Sequence, residues 1–267
     1  MGEDLVLVTE ADGIMTVTLN RPEKLNAINL PVSQALDAAV WRFGDDEDLR
    51  VLVLTGTGRY FSAGLDISDE GQLQRAEFEG PQPTKRLQRR KYRQRHHELH
   101  DELEKIEKPI IHAAQGPCLG LGLEMAASCD FRFCTPHTHY GLPEVARLGV
   151  IAGSGGVSRL TRLVGPHWSK WIGMAGRLVD ADTAVRIGLV HDVYPAEEFM
   201  DRVMEFARSL AAVDPDAIAL AKLTIDLCTA EDREKTRHIE RIANSALSSG
   251  PSRPGRLSQA LEKGGRS

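Results

Sequence analysis

The chain has 267 residues, a net charge of −5, 42% hydrophobic and 27% charged residues, proportions of a globular protein able to bury a sizeable core. The acidic balance argues against a general nucleic-acid or membrane-surface binder. No apolar run approaches the roughly 18–20 residues needed to span a bilayer, and "MGEDLVLVTEADGIMTVTLN" lacks a basic start followed by an apolar stretch, so a cytoplasmic location is expected.

"LVLVTE" and "IMTVTL" alternate at period two around "ADG", which predicts a hairpin. "SQALDAAVWRF" has helical spacing, with Pro31 as a start signal. "LRVLVLTG" (49–56) is a continuous aliphatic run ended by glycine, the mark of a strand buried on both faces, and "KPIIHAAQG" (108–116) and "CDFRFCT" (129–135) repeat the design. Between them, "PTKRLQRRKYRQRHHELHDELEKIEK" (83–108) reads as a charged helix with Lys85, Arg86, Arg89, Arg90, Arg93 and Arg95 crowding one end. That end is either a solvated face or a phosphate-facing patch. From about residue 197 the pattern is helical only, in "AEEFMDRVMEFARSLAA", "DPDAIALAKLTIDLC" and "EDREKTRHIERIANSAL", before the turn-rich "SSGPSRPGR" and a last short helix. Strands alternating with helices indicate an α/β fold.

One carboxylate stands out. Glu124, in "CLGLGLEMAASCD", is the only charged side chain between His112 and Asp130. An unpaired buried carboxylate costs several kcal/mol, so such a group is either an ion-pair member or a chemical group with a raised pKa. Two glycine turns, "GRYFSAGLDI" (58–67) and "QGPCLGLGLE" (115–124), each follow a buried strand. Turns of this kind present free N–H groups, and two converging would make an oxyanion hole. The four cysteines are too few for a disulfide scaffold. Cys129, Cys134, His137 and His139 have zinc-type side chains, but period two puts Cys129 with Phe131 and Phe133 and turns Cys134 away, so no metal site is expected.

The pattern as a whole resembles the enoyl-CoA hydratase/isomerase (crotonase) family. "LNRPEKLNAIN" (19–29), "FSAGLDI" (61–67), "KPIIHAAQGPCLGLGLEMAASCDFRF" (108–133) and "YGLPEVARLGVIAGSGGVSRLTRLVG" (140–165) match its signatures in order and spacing. The resemblance implies a spiral of ββα turns over residues 1–196 holding an acyl-CoA site. It also implies a helical region over 197–267 that assembles trimers, often paired into hexamers. It implies that Glu124 and Glu144 share one catalytic water, and that the N–H groups of Leu65 and Leu121 take the thioester oxygen. Ala63, Asp66 and Ile67 match positions lining the CoA site, and Lys24 and Asn26 fall in the segment that contacts its nucleotide end. Coenzyme A would enter as part of the substrate, with no separate cofactor and no metal.

Two departures bear on this. "GLGLE" puts Leu121 where the family usually has glycine, and Glu144 is followed by Gly149 one residue later than is common, a rotation of about 100° if the extra residue is helical. The implied reaction is hydration of a trans-2-enoyl-CoA to a 3-hydroxyacyl-CoA in fatty-acid metabolism. The nearest alternatives are a Δ3,Δ2-enoyl-CoA isomerase, needing typically only the glutamate matching Glu144, or another acyl-CoA enzyme of the same family. A non-catalytic acyl-CoA- or RNA-binding member is the more distant one, disfavoured by the net acidity and by the single aromatic, Tyr92, in the basic run.

Overall fold

The computed structural model describes residues 4–68 and 95–249. Lys85, Arg86, Arg89, Arg90 and Arg93, the side chain of Arg95, and most of the "SSGPSRPGR" tail with its expected helix lie outside the described residues. Two compact units are present, Met1–Ala212 and Val213–Ser267.

The first unit is built on a six-stranded sheet of β1 (Val6–Ala11), β2 (Ile14–Leu19), β3 (Val51–Gly56), β4 (Ile110–Ala114), β6 (Phe131–Cys134) and β9 (Asp192–Val193), in that order across the sheet. Only β1 and β2 are antiparallel, paired from Val6↔Leu19 to Ala11↔Ile14. Their two-residue turn, Asp12-Gly13, takes φ of 54° and 74°, the twist that a tight hairpin requires and that Asp-Gly supplies at little cost. The other pairs are parallel, so each return to the sheet needs a crossover.

A second, thinner ladder runs beside this sheet. It steps from Ile28 to Leu65 and from Ser62 to Cys118. It continues through β5 (Cys118–Leu119) and β7 (His139–Gly141) to β8 (Val179–Asp180). Each circuit of the chain thus lays one strand in the main sheet, one rung in the ladder and usually one helix, which is the expected spiral of ββα turns. The helices are α1 (Leu30–Asp45), α2 (Arg95–Lys105), α3 (Leu121–Ala127), α4 (Glu144–Leu148), α5 (Gly156–Ser169) and α6 (Ala181–Arg186).

Local chemistry sets the ends of α1. The Asn29 side chain accepts the Val32 N–H at 3.1 Å, with Pro31 in the first turn. At the far end Lys108 Nζ donates to the carbonyls of Phe43, Gly44 and Asp46 at 2.8, 3.1 and 2.7 Å, a cation on the negative end of the helix dipole.

Strand β3 is buried on both faces, with Leu52 and Leu54 in one core cluster and Val51 and Val53 in another. The second cluster is closed by α7 (Phe199–Ala211), whose Phe199, Val203 and Ala207 pack against it. This helix was expected to open the C-terminal region at residue 197. Its apolar stripe instead covers the sheet, so the first unit runs to Ala212. Cys129 also differs from expectation. The strand begins only at Phe131, and Cys129 lies in the turn after α3 with its thiol on Met125 O at 3.3 Å. It packs in the cluster of Cys118 and Cys134, away from the Phe133 face. Among the described residues no group of three or more His, Cys, Asp or Glu is placed to hold a metal.

The second unit is a pair of contacting helices, α8 (Pro215–Cys228) and α9 (Arg233–Ser249), capped by Asp214 on Ala217 N–H and by Asp232 on Glu234 and Lys235 N–H. No described helix is long and apolar enough to cross a membrane.

Lys108→Met should leave three carbonyls at the end of α1 without their charged donor. The expected loss is about 1–3 kcal/mol, read from the urea midpoint; an unchanged midpoint would contradict this role.

Candidate functional site

The site forms where two rungs of the thin ladder meet. Nearly every backbone N–H of residues 62–66 is committed: Ser62 to Pro117 O, Ala63 to Leu25 O, Gly64 to Ser62 Oγ and Asp66 to Ile28 O. Leu65 is the exception, with no acceptor for its N–H among the described residues. Across from it, Gly120 N–H is held by Gly141 O. Leu121 opens α3, and its N–H is one of the donors a helix start leaves over. It too has no acceptor among the described residues.

Glycine brings these two donors together. Gly64 takes φ 96°, and a Cβ there would lie 3.3 Å from Leu121 N and 3.4 Å from Gly120 Cα. Gly120 takes φ 53° and ψ −125°, a conformation that only glycine adopts freely. The expected family glycine at 121 is therefore dispensable. Leu121 has helical backbone, and its side chain joins the core cluster.

Two carboxylates flank this contact. A Cβ on Gly120 would meet Glu144 Oε1 at 2.7 Å, so the Glu144 carboxyl rests on the bare Gly120 Cα. Glu144 is the first residue of α4. The extra residue that follows it is absorbed in this one turn, closed by Gly149 at φ 66° with its N–H on Val145 O at 3.3 Å. Glu144 precedes the insertion and keeps its place. Its Oε2 is buried with no hydrogen-bond partner among the described residues, and burial raises its pKa.

Glu124, on α3, is 4% exposed. Its Oε2 accepts the N–H groups of Ser154 at 2.7 Å and Gly156 at 3.0 Å, the second belonging to the start of α5. Gly156 is packed against the carboxyl, where a Cβ would fall 2.8 Å from Oε2. Oε1 takes no protein donor among the described residues. Burial pushes the Glu124 pKa from 4.5 to about 7, against the two N–H donors and the Arg159 charge and with the help of Glu144. The answer to the lone carboxylate is thus a half-satisfied one, held by one oxygen and open at the other.

The remaining expected residues divide. Lys24 is exposed on the short turn Pro22–Lys24, Ile67 is 54% exposed, and Ala63 is half-buried. Asn26 is corrected. It is 1% exposed, its Oδ1 accepts Arg21 N–H, and its Nδ2 donates to Thr57 O and Tyr60 O. With both ends of the amide engaged it is a strut under the loop. Asp66 is likewise engaged, by Arg21 at 2.6 Å and by Ser68. Burial opposes its ionisation, but the Ser68 and Arg21 contacts hold its carboxyl below the usual range. Sequence reasoning missed Arg21 and Arg159, both buried cations. Each lies just beyond a motif glycine or strand end, and neither carries a local pattern that names its distant partner.

This arrangement joins two unclaimed backbone donors to two carboxyls of raised pKa. It can stabilise negative charge on a carbonyl oxygen while moving protons at a neighbouring carbon. Known proteins share the arrangement's framework. The enoyl-CoA hydratase/isomerase family model matches residues 9–260. A short-chain-enoyl-CoA hydratase of Clostridium acetobutylicum is 35% identical over 222 residues, 82% of this chain and 80% of its own. A carnitinyl-CoA dehydratase of Salmonella arizonae is 38% identical over 225 residues, covering 83% of this chain and 80% of its own. An enoyl-CoA hydratase structure from Bacillus anthracis superposes with a TM-score of 0.86 at 27% identity, over 97% of this chain and 96% of that one.

The raised Glu124 pKa has a consequence for stability. Below about pH 4.5 the group is protonated folded or unfolded, and as pH rises to about 7 the folded state increasingly bears the cost of resisting ionisation. Glu124→Gln should therefore gain stability relative to the wild type between pH 5 and pH 8, by up to about 3 kcal/mol. Urea midpoints at the two pH values check this; a difference independent of pH would contradict it.

Proposed function

Because the chain belongs to the enoyl-CoA hydratase/isomerase family, we propose that it adds water across the double bond of a trans-2-enoyl-CoA to give a 3-hydroxyacyl-CoA. The single observation that carries this reading is the Glu144 carboxyl resting on Gly120 at the Gly64–Gly120 contact, with Glu124 one helical turn beyond Gly120 and close enough for Glu144 to raise its pKa, beside two N–H groups with no acceptor among the described residues. An isomerase needs one proton-moving carboxyl. Two, each with an oxygen not taken by a protein donor, suit the capture of a water.

In the proposed reaction the Glu124 carboxylate takes a proton from water as the oxygen attacks C3. The double-bond electrons move to the thioester oxygen, where Leu65 and Leu121 N–H groups hold the enolate. The enolate then takes a proton at C2 from the Glu144 carboxyl. Water is added whole, and no oxidant or metal enters the balance. Burial of both carboxyls, with the Glu144 charge adding to the rise at Glu124, favours a state in which one is base and the other acid. Lys24, Ala63 and Ile67 are the residues proposed to meet the CoA moiety directly, with Asn26 and Asp66 shaping the loop behind them. The names of the relatives, a hydratase and a dehydratase of CoA esters, support this class of reaction.

A trimeric or hexameric assembly of a cytoplasmic enzyme goes with this reading. The exposed Ile225, Leu227 and Ile242 of the second unit support it. Light scattering should give three or six times the 29.4 kDa chain mass; a stable monomer at micromolar concentration would contradict it.

Glu124→Gln and Glu144→Gln should each slow hydration of a short trans-2-enoyl-CoA by ~10²–10⁴, followed by loss of conjugated-thioester absorbance, with the Kd for the CoA ester little changed. Glu144→Gln should also stop deuterium uptake at C2. Wild-type hydration by Glu124→Gln would overturn its assignment as the base, and a wild-type protein that leaves the conjugated thioester intact would overturn the hydratase reading in favour of isomerisation.

A further inference from the structure

One buried cation lies directly behind the Glu124 cradle and has no part in the reaction just described. Arg159, on α5, is 4% exposed. Its Nη2 is 2.7 Å from both Asp101 Oδ1 and Glu104 Oε2 on α2. Its Nη1 donates to Ser154 O at 3.0 Å. His100 Nδ1, also on α2, is 3.1 Å from the same carbonyl, and burial pushes this histidine down to about 3, so the neutral ring donates there. Gly155, at φ 88°, has no side chain because the guanidinium occupies that space. The residues on either side of it, Ser154 and Gly156, are the two whose N–H groups hold Glu124 Oε2.

Resting on the hydratase reading, we propose that Asp101 and Glu104 are positioning residues for Glu124, pinning the Arg159 guanidinium behind the Ser154–Gly156 cradle and offsetting its positive charge so that Glu124 stays basic enough to take a proton from water. Without that offset a low-dielectric interior would carry the Arg159 charge through to the cradle, and the carboxylate would be held ionised and weakly basic. Among the described residues the charged and titratable groups around Glu124 are few. Glu144 faces it from α4 and raises its proton affinity, while Arg159 faces it from α5 and lowers it. Arg159 in turn faces His97, His100, Asp101 and Glu104 on α2. Arg162, on α5, reaches Glu104 at 3.4 Å. Removing either α2 carboxylate makes this cluster one unit more positive, and Glu124 is the carboxyl that its cradle transmits the change to. Asp101 and Glu104 are themselves 51% and 39% exposed, so neutral isosteres there bury no new polar group.

The test is a carbon-13 NMR titration of carboxyl-labelled glutamates in the full-length protein, with the Glu124 resonance assigned by its loss in Glu124→Gln. Asp101→Asn and Glu104→Gln are each expected to lower its midpoint by roughly a few tenths of a pH unit. The rising limb of the kcat–pH profile for a short trans-2-enoyl-CoA should move down with it, KM should change little, and Glu104→Asp should restore both. An unmoved midpoint in the two variants would overturn the proposal even where their turnover falls, since a merely structural pair would cost rate without shifting the titration. Because the titration needs no turnover, an enzyme that fails to hydrate would sink the hydratase reading alone, visibly apart from this result.

Discussion

The close approach of Gly64 to Gly120 is the constraint on which the rest of the site depends. Two backbone segments some 56 residues apart can touch this closely only where neither carries a side chain, and a Cβ on Gly64 would already stand 3.0 Å from Leu119 O. The approach is produced by the thin ladder: Ser62 pairs with Cys118 and Leu119 N–H bonds Ser62 O, so the residues just beyond each rung are forced alongside one another. What the contact leaves over are N–H groups. The ladder consumes its neighbours' donors, the helix start consumes none, and among the described residues the two unclaimed groups fall on Leu65 and Leu121.

Around this contact the electrostatics are set by burial more than by charge pairing. Glu124 gives up most of its hydration and recovers two N–H donors on one oxygen, which is less than an ionised carboxylate needs, so its proton affinity rises toward neutrality. Glu144 has no donor on its buried oxygen among the described residues, and burial pushes it the same way. On the proposed reaction this is the useful state, since a base that waits near neutral pH can both take and return a proton. The contrast is Asp66, a carboxyl that lies nearby in the sequence. Salt-bridged to Arg21 and bonded by Ser68, it is held ionised and stabilises the loop.

Much of this was legible in the residues. The Asp-Gly hairpin, the aliphatic strands 51–56 and 110–114, and the oddness of Glu124 in an apolar run all follow from local pattern, because period and turn chemistry are local properties. The four motifs, read as a family resemblance, located both carboxyls and both glycine turns. What pattern did not reveal depends on distance in the fold. Asn26 looks like a ligand contact until its amide is seen spent on Thr57 and Tyr60, and the Arg21–Asp66 and Arg159–Asp101 pairs span 45 and 58 residues. Cys129 was placed on the wrong face because strand alternation was counted from a residue that is still in a turn. The stripe of α7 showed that the helix was amphipathic without showing that its partner was the sheet. Leu121 looked like a substitution at a critical glycine, whereas the positive φ falls one residue earlier.

The central claim is that the Gly64–Gly120 contact polarises a thioester carbonyl with two backbone donors. Difference infrared spectroscopy of a carbonyl-labelled enoyl-CoA bound to Glu144→Gln, which turns over slowly enough to observe, tests it most directly. The account predicts that the thioester C=O stretch moves to lower frequency on binding, and that the shift shrinks in a Gly64→Ala background, where a Cβ presses on Leu121 N. A bound carbonyl at its free-solution frequency, in a complex that has formed, would contradict it.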